Sequence, residues 1–188
     1  MPEGPVVMEL VLLGICIVLS AFFSSSEAAF LSVQKVRMQH LLASSVPGAR
    51  RMVSMAEHPE RLLPTILLGN NLVNTAAAAL GTLIALSVIE NSTQAILIAT
   101  VTVTIVLLII GEIIPKTIAA RHAERMALAY ALPLQWVEML LFPFTRLLQT
   151  LSRRVNKMVG GNVDSRALIT EEEIKILISV GRDAGTVE

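Results

Sequence analysis

The chain has 188 residues, of which 54% are hydrophobic and 16% are charged, with a mean hydropathy of +0.68 and no formal net charge. Charged residues make up about 25% of a typical soluble domain, so this composition argues against a soluble protein and favours helices packed in lipid. A single cysteine, Cys16, excludes a disulfide within the chain. We find no nucleophile, phosphate-loop or nucleic-acid motif, and therefore expect neither an enzyme nor a nucleic-acid-binding protein.

Basic residues are segregated along the chain. Residues 1–34 and 62–115 contain no Lys or Arg, and all fifteen basic residues lie in 35–61 or from 116 onward. Lys and Arg that flank membrane helices stay on the cytoplasmic side. The distribution therefore predicts a multi-pass protein of the plasma (inner) membrane with its N-terminus outside and its C-terminus in the cytoplasm. The first apolar segment lacks a basic flank and a clear cleavage site, which favours a retained span over a signal peptide.

Three apolar segments are long enough to cross a hydrocarbon core of about 30 Å, namely residues 6–23, 62–89 and 95–114. The basic segment 33–61 is predicted to be a cytoplasmic loop of two short helices, because Pro47 and Gly48 divide it. Pro115 and Lys116 are predicted to close the third span on the cytoplasmic side. The fold class is therefore an all-α integral membrane protein with three transmembrane helices and juxtamembrane amphipathic helices.

The C-terminal third is less apolar. Residues 126–151 form a fourth apolar stretch, interrupted by Pro133, Glu138, Pro143 and Arg146. Because both flanks are basic, we expect a helix lying at the interface, with a further span as the alternative. The predicted organisation is a three-span core over 1–125, a juxtamembrane helix belt over 126–159, and a cytoplasmic linker with the start of an acidic helical segment over 160–188. We expect a cytoplasmic domain to follow that segment.

Each predicted span carries a cluster of polar residues, which are costly at membrane depth and mark functional sites. The clusters are Ser20, Ser24, Ser25, Ser26 and Glu27; Gly69, Asn70, Asn71 and Asn74; and Gly111, Glu112, Pro115 and Lys116. Helical spacing places Ser20 and Ser24 on one face, with Glu27 close to it. Pro115 has no N–H to donate to the carbonyl of Gly111, so we expect that carbonyl to be free.

Together the clusters offer hydroxyls, amide oxygens, carbonyls and carboxylates, without a thiolate or an imidazole. These hard oxygen donors suit Mg²⁺, Ca²⁺ or Na⁺ and do not suit Zn²⁺ or Cu⁺. Each cluster also has a structural interpretation. Serines in membrane helices often bond to their own backbone, asparagines hydrogen-bond between helices, Glu27 can be hydrated at a helix end, and Glu112 can pair with Lys116 four residues later.

Three segments carry a family resemblance: SAFFSSSEAAFLS at 20–32, LLGNNLVNTAAAAL at 67–80 and GEIIPKTIAARHAERMA at 111–127. They resemble the DUF21 membrane domain of the CorC/CNNM magnesium transporter family. Residues 169–188 resemble the acidic lead-in to that family's paired cystathionine-β-synthase domains. The small residue that members often have between two serines is replaced here by Ser25.

The resemblance implies a homodimeric magnesium transporter, usually described as an exporter, built from three membrane helices and a juxtamembrane belt. The implied Mg²⁺ ligands are Ser20, Ser24, the Gly69 carbonyl, Asn70 and Glu112, with Glu27 as a supporting acid. Ser25, Asn74, Pro115 and Lys116 are expected around them in less direct roles. Regulation by ATP-Mg²⁺ is implied for the cystathionine-β-synthase domains, which lie outside these residues. The implied partners are a second copy, those domains and the bilayer.

The mechanism we expect is alternating access around one central Mg²⁺ site. The driving force is either the Mg²⁺ gradient or exchange with Na⁺, since the chain has no ATP-hydrolysing motif. One alternative is a membrane Mg²⁺ sensor that regulates another transporter without carrying ions. Another is a structural anchor for a cytoplasmic part.

Overall fold

The computed structural model describes residues 3–158, with side chains over 6–147 and at 150, and every regular element in that range is a helix. The predicted linker and acidic helix over 160–188 lie outside the described residues. Two compact units are present, Met1–Thr145 and Arg146–Glu188, and the first contains the features below. The helices are α1 (Glu3–Ser32), α2 (Lys35–Ala43), α3 (Ala49–Ala56), α4 (Pro59–Val88), α5 (Ser92–Val106), a π-helical segment (Leu107–Ile113), α6 (Ile114–Arg121) and α7 (Ala123–Met158).

Helix α1 continues for nine residues beyond the predicted end of the first span, through the whole serine cluster to Ser32. Two hydroxyls of that cluster bond back to the helix. Ser25 donates to the carbonyl of Ala21 at 2.6 Å, and Ser26 donates to the carbonyl of Phe22 at 2.7 Å. Such i−4 bonds satisfy serine inside a helix without ending it.

The basic loop folds into two short helices, α2 and α3, as predicted. The chain reverses between them at Ser45 and Gly48, which have φ values of 52° and 85°. Arg37 of α2 bonds to Glu124 at the start of α7, with 2.6 Å between Nε and Oε2. The hydrogen bond that Arg37 donates to Glu124, and then the negative charge of that carboxylate, raise the pKa of Arg37.

The third span differs from the prediction. Pro115 does not close it, because the helix continues through the π-helical segment into α6 and ends at Arg121. The N–H of Ile114 donates to the carbonyl of Ile109, five residues earlier. Pro115 falls in the first turn of α6, a position where proline is tolerated. The predicted end at residue 114 was therefore wrong.

Four helices within the described range are long and apolar enough to cross a bilayer, where the sequence predicted three. They are Val6–Ser32, Pro59–Val88, Ser92–Arg121 and Ala123–Leu147. The additional candidate is α7, which runs unbroken through both of its prolines. Its assignment to a juxtamembrane belt is a prediction that length and composition do not test.

Helix α1 is central to the membrane core. It packs against α4, α6 and the π-helical segment, and α4 packs against α5. Phe23, Phe30, Ile66 and Leu134 are almost fully buried. Large apolar side chains cover the outside, including Leu97 at 62% exposure and Val101 at 58%. A protein that keeps such a surface fits lipid as its surroundings.

Candidate cation site

Two serines of α1 form the first side of the candidate site. Ser20 and Ser24 lie one turn apart and both are fully buried. The hydroxyl of Ser20 donates to the side-chain oxygen of Asn70 on α4 at 3.4 Å. The hydroxyl of Ser24 is buried and has no hydrogen-bond partner among the described residues. Its oxygen is therefore available to a ligand.

The second side is a face of α4. Asn70 and Asn74 are four residues apart, so they lie on the same side of the helix. The amide nitrogen of Asn74 donates to Oε1 of Glu112 at 3.4 Å, whereas its oxygen is buried without a hydrogen-bond partner among the described residues. The two asparagines thus connect α1 with the π-helical segment.

Gly69 precedes these asparagines where α4 packs tightly against α1. A Cβ atom built on Gly69 would lie 2.5 Å from two ring carbons of Phe23. Helices that approach this closely need a residue without a side chain at the crossing. Gly69 is therefore required for packing, whatever its carbonyl binds.

The π-helical segment forms the third side. Gly111 faces α1, since a Cβ atom built on it would lie 2.8 Å from the hydroxyl of Ser20. The next residue, Glu112, faces Asn74 on α4 and is half-buried. Glu112, Asn74 and Thr104 line an open groove of about 430 Å³ between α4 and the third span. Single π-helical turns are frequent at functional sites, and this one directs adjacent residues toward two different helices.

The five predicted ligand residues therefore lie on three packed helical elements. Direct contacts join Ser20 to Asn70 and Asn74 to Glu112. The oxygen donors are hydroxyls, amides and one carboxylate. No group of three His, Cys, Asp or Glu side chains at metal-binding distance occurs among the described residues. A cation bound here would thus be held mainly by neutral oxygen atoms.

Apart from Asn74, which bonds to Glu112, the residues expected in less direct roles point elsewhere. Besides its backbone bond, Ser25 shares a hydrogen bond with Tyr130 on α7, with 3.2 Å between the two hydroxyl oxygens. The ammonium of Lys116 lies 3.0 Å from Oε2 of Glu27, and both side chains are about two-fifths exposed at 41% and 38%. Lys116 thus pairs with Glu27 of α1, whereas the structural interpretation had it pairing with Glu112. Pro115 lines a shallow groove beside Ser25 and Tyr130.

Sequence reasoning missed the contributions of Phe23 and Tyr130. The ring of Phe23 covers Gly69 and meets the ring of Phe22 edge-on with centroids 5.3 Å apart. Phe22 in turn meets Tyr130 edge-on at 5.1 Å. A signal was present, because Tyr130 is the chain's single tyrosine and lies in an apolar stretch. The residues that Tyr130 contacts, Phe22 and Ser25, could not be identified from the sequence.

Comparison with known proteins agrees with this architecture. The family model of the cyclin M (CNNM) transmembrane N-terminal domain matches residues 11–188, nearly the whole chain. The chain belongs to the CNNM family. It is 34% identical over 185 residues to a UPF0053 protein of Haemophilus influenzae, covering 98% of this chain and 44% of that protein. It is 32% identical over 166 residues to the UPF0053 inner membrane protein YfjD of Escherichia coli, covering 87% of this chain and 38% of that protein.

A further relative is a chloroplastic DUF21 domain-containing protein of Arabidopsis thaliana, 31% identical over 179 residues, with 94% of this chain and 27% of that protein covered. This CNNM-family chain thus spans less than half the length of these relatives. With its several apolar helices, it is a multi-pass membrane protein.

Proposed function

We propose that this CNNM-family chain carries Mg²⁺ across the membrane through the site formed by Ser20, Ser24, Gly69, Asn70 and Glu112, with Asn74 beside Glu112 in a supporting role. The observation that carries the proposal is the pair of buried oxygen atoms, on Ser24 and Asn74, without hydrogen-bond partners among the described residues. A buried polar atom left unsatisfied costs about 1–3 kcal/mol. A bound cation would remove that cost at both atoms.

The donor set supports a hard divalent ion. Mg²⁺ prefers oxygen ligands, loses its water reluctantly and is commonly held by one or two carboxylates with several waters retained. The site offers one carboxylate, Glu112, beside neutral oxygens and an open groove of about 430 Å³. An ion that must be released again needs binding that is favourable but not tight. A single negative charge meets this requirement better than a carboxylate cage.

Alternating access around this site is the mechanism we favour, with export as the direction and Na⁺ exchange or the Mg²⁺ gradient as the driving force. The site is accessible to one side at a time if the helices that carry the ligands move relative to one another. The proposal includes the outside N-terminus, the homodimer and regulation by ATP-Mg²⁺ through cystathionine-β-synthase domains. The basic loop supports the orientation through the positive-inside rule.

Mg²⁺ flux into and out of proteoliposomes, followed with a Mg²⁺-sensitive dye under imposed Mg²⁺ and Na⁺ gradients, tests the proposal. We expect Glu112→Gln to lower the flux at least tenfold, since it removes the site's only charge at nearly constant shape. Asn70→Ala should lower it as well. The matched control is Glu90→Gln, which makes the same change at an exposed position in the turn between α4 and α5.

The result against transport is a wild-type chain that moves no Mg²⁺ under any gradient. Calorimetric titration with Mg²⁺ then distinguishes the remaining alternatives. Binding that is lost in Glu112→Gln but retained in Glu90→Gln, without flux, would support a sensor that regulates another transporter. Absence of both binding and flux would support the remaining alternative, a structural anchor for a cytoplasmic part.

A further inference from the structure

A second polar cavity lies away from the candidate cation site, where α3, the start of α4 and α7 meet. Its volume is about 560 Å³. Three arginines and one glutamate line it, namely Arg50, Arg51, Arg61 and Glu138. We call it the arginine cavity. Its formal charge is positive, and the proposed transport mechanism uses none of these residues.

Two of these arginines lie at the cavity because α3 has one apolar face and one charged face. Met52, Val53 and Met55 are buried on one face, whereas Arg50 and Arg51 are exposed on the other. The turn at Gly48 leads into α3 beside α7, since a Cβ atom built on Gly48 would lie 3.9 Å from the carbonyl of Leu128. The packing of α3 thus leaves its charged face directed outward beside α7.

The cavity lies at the depth where a helix enters the membrane. Arg61 occupies the first turn of α4, and no Lys or Arg follows until residue 116. Basic residues at such boundaries lie at the level of the lipid headgroups. Leu62, the next residue, is 4% exposed and forms part of the apolar floor. The cavity therefore joins a charged rim to an apolar base.

The α7 wall of the cavity borders an apolar surface. Gln135 and Glu138 line the cavity, and Trp136, Met139 and Leu140 on the same helix are large, apolar and exposed. Trp136 is 66% exposed, Met139 59% and Leu140 75%. Tryptophan is enriched at the membrane interface, where its ring lies at headgroup level. A molecule with an anionic head and apolar chains matches both the cavity and this surface.

We propose that the arginine cavity binds the phosphate group of an anionic phospholipid, whose acyl chains lie along the exposed apolar residues of α7. The planar guanidinium group presents several N–H donors in a geometry that matches phosphate oxygens. Basic pockets between membrane helices on the cytoplasmic side suit anionic headgroups. A free phosphate ion would use the arginines but would leave the apolar surface of Trp136, Met139 and Leu140 without a partner.

Native mass spectrometry of the delipidated chain, titrated with phosphatidylglycerol or phosphatidylcholine, tests this assignment. Wild type should retain phosphatidylglycerol in preference to phosphatidylcholine. Neutralising all three arginines should weaken retention about a hundredfold, since each basic residue near an anionic surface contributes about 1 kcal/mol. The variant is Arg50→Gln with Arg51→Gln and Arg61→Gln. The matched control removes three charges elsewhere, with Lys35→Gln, Arg121→Gln and Arg125→Gln, and should bind as wild type does.

A separate variant keeps the arginines in place. Ser54 is exposed and lines the cavity, so Ser54→Glu adds a carboxylate that repels phosphate and leaves the apolar packing unchanged. We expect about fivefold weaker retention from this single charge, at about 1 kcal/mol. Equal losses in the two triple variants would show general surface attraction and overturn the proposal. Wild-type binding by Ser54→Glu, or binding of inorganic phosphate without phosphatidylglycerol, would overturn it too.

Discussion

Replacing Gly69 by alanine is the sharpest test of how α1 and α4 pack at the candidate site. The added Cβ would lie 2.5 Å from two carbons of the Phe23 ring, where carbon atoms normally approach to about 3.5–4.0 Å. Phe23 is 6% exposed and is held edge-on against Phe22, which is itself held against Tyr130. The ring therefore has little room to move away from the new methyl group.

The expected loss follows from two opposing effects. Overpacking a well-packed contact costs about 1–3 kcal/mol. Alanine is preferred over glycine in a helix by about 1 kcal/mol, which leaves a net loss of up to about 2 kcal/mol. For a chain of this size, about 2–4 °C of melting temperature corresponds to each kcal/mol. Gly69→Ala should therefore melt up to about 8 °C below wild type.

The assay is the temperature at which half of the detergent-solubilised protein remains monodisperse on size-exclusion chromatography. Gly14→Ala is the matched control, because no atom lies within 4 Å of a Cβ built on Gly14. That variant should melt at or slightly above the wild-type temperature. Adding Phe23→Leu to Gly69→Ala should restore part of the loss, with a coupling energy of about 0.5–3 kcal/mol. If Gly69→Ala is as stable as Gly14→Ala, the ring of Phe23 does not lie as close to Gly69 as the structure places it.

Further predictions concern the polar contacts around the site. Lys116→Gln should cost less than about 1 kcal/mol, because its pair with Glu27 is about two-fifths exposed, and a double-mutant cycle should show that this coupling shrinks in high salt. Tyr130→Phe should cost about 0.5–1.5 kcal/mol in thermal unfolding, because it removes the hydrogen bond to Ser25 and keeps the ring packing. Arg37→Gln should lower the melting temperature equally at about pH 6 and about pH 9. The pKa of Arg37 is raised in the folded chain, so its contribution is complete at both of these pH values, which lie below arginine's ordinary pKa.

Each of these predictions has an opposite outcome. A salt-independent coupling between Lys116 and Glu27 would show that the pair is shielded from solvent. A loss well above about 1.5 kcal/mol for Tyr130→Phe would mean that its hydroxyl does more than bond to Ser25. A loss for Arg37→Gln that disappears between about pH 6 and about pH 9 would show that another group titrates with the pair.

The helices and their polar clusters could be predicted because they depend on local properties of the sequence. Hydropathy located the apolar helices, and Pro47 with Gly48 located the break in the basic loop. The helical period placed Ser20 and Ser24 on one face, and both are buried. The assignment of ligands to Mg²⁺ depended on chemistry and resemblance, and it stays a prediction.

The contacts between distant residues could not be predicted in the same way. Lys116 has Glu112 four residues before it, yet the structure pairs it with Glu27, which lies 3.0 Å away and 89 positions earlier in the sequence. The π-helical segment was also missed. Its residues are as apolar as those of a regular helix, and a hydrogen bond to the carbonyl five residues earlier cannot be recognised from composition. The end of the third span was missed for a different reason, because Pro115 falls in the first turn of α6, where proline is tolerated.

The π-helical segment also determines how insertions and deletions act in the third span. A ring closed five residues back holds one residue more than an α-helical turn, which offsets the following residues by about 100°. A helical wheel drawn over Ser92–Arg121 with one constant period would therefore assign the wrong faces to α6. Deleting one residue from the segment would let it close as an ordinary α-helical turn, so that α6 keeps its faces and Lys116 still lies beside Glu27. In this helix, the π-helical segment holds an additional residue without turning the faces that follow it.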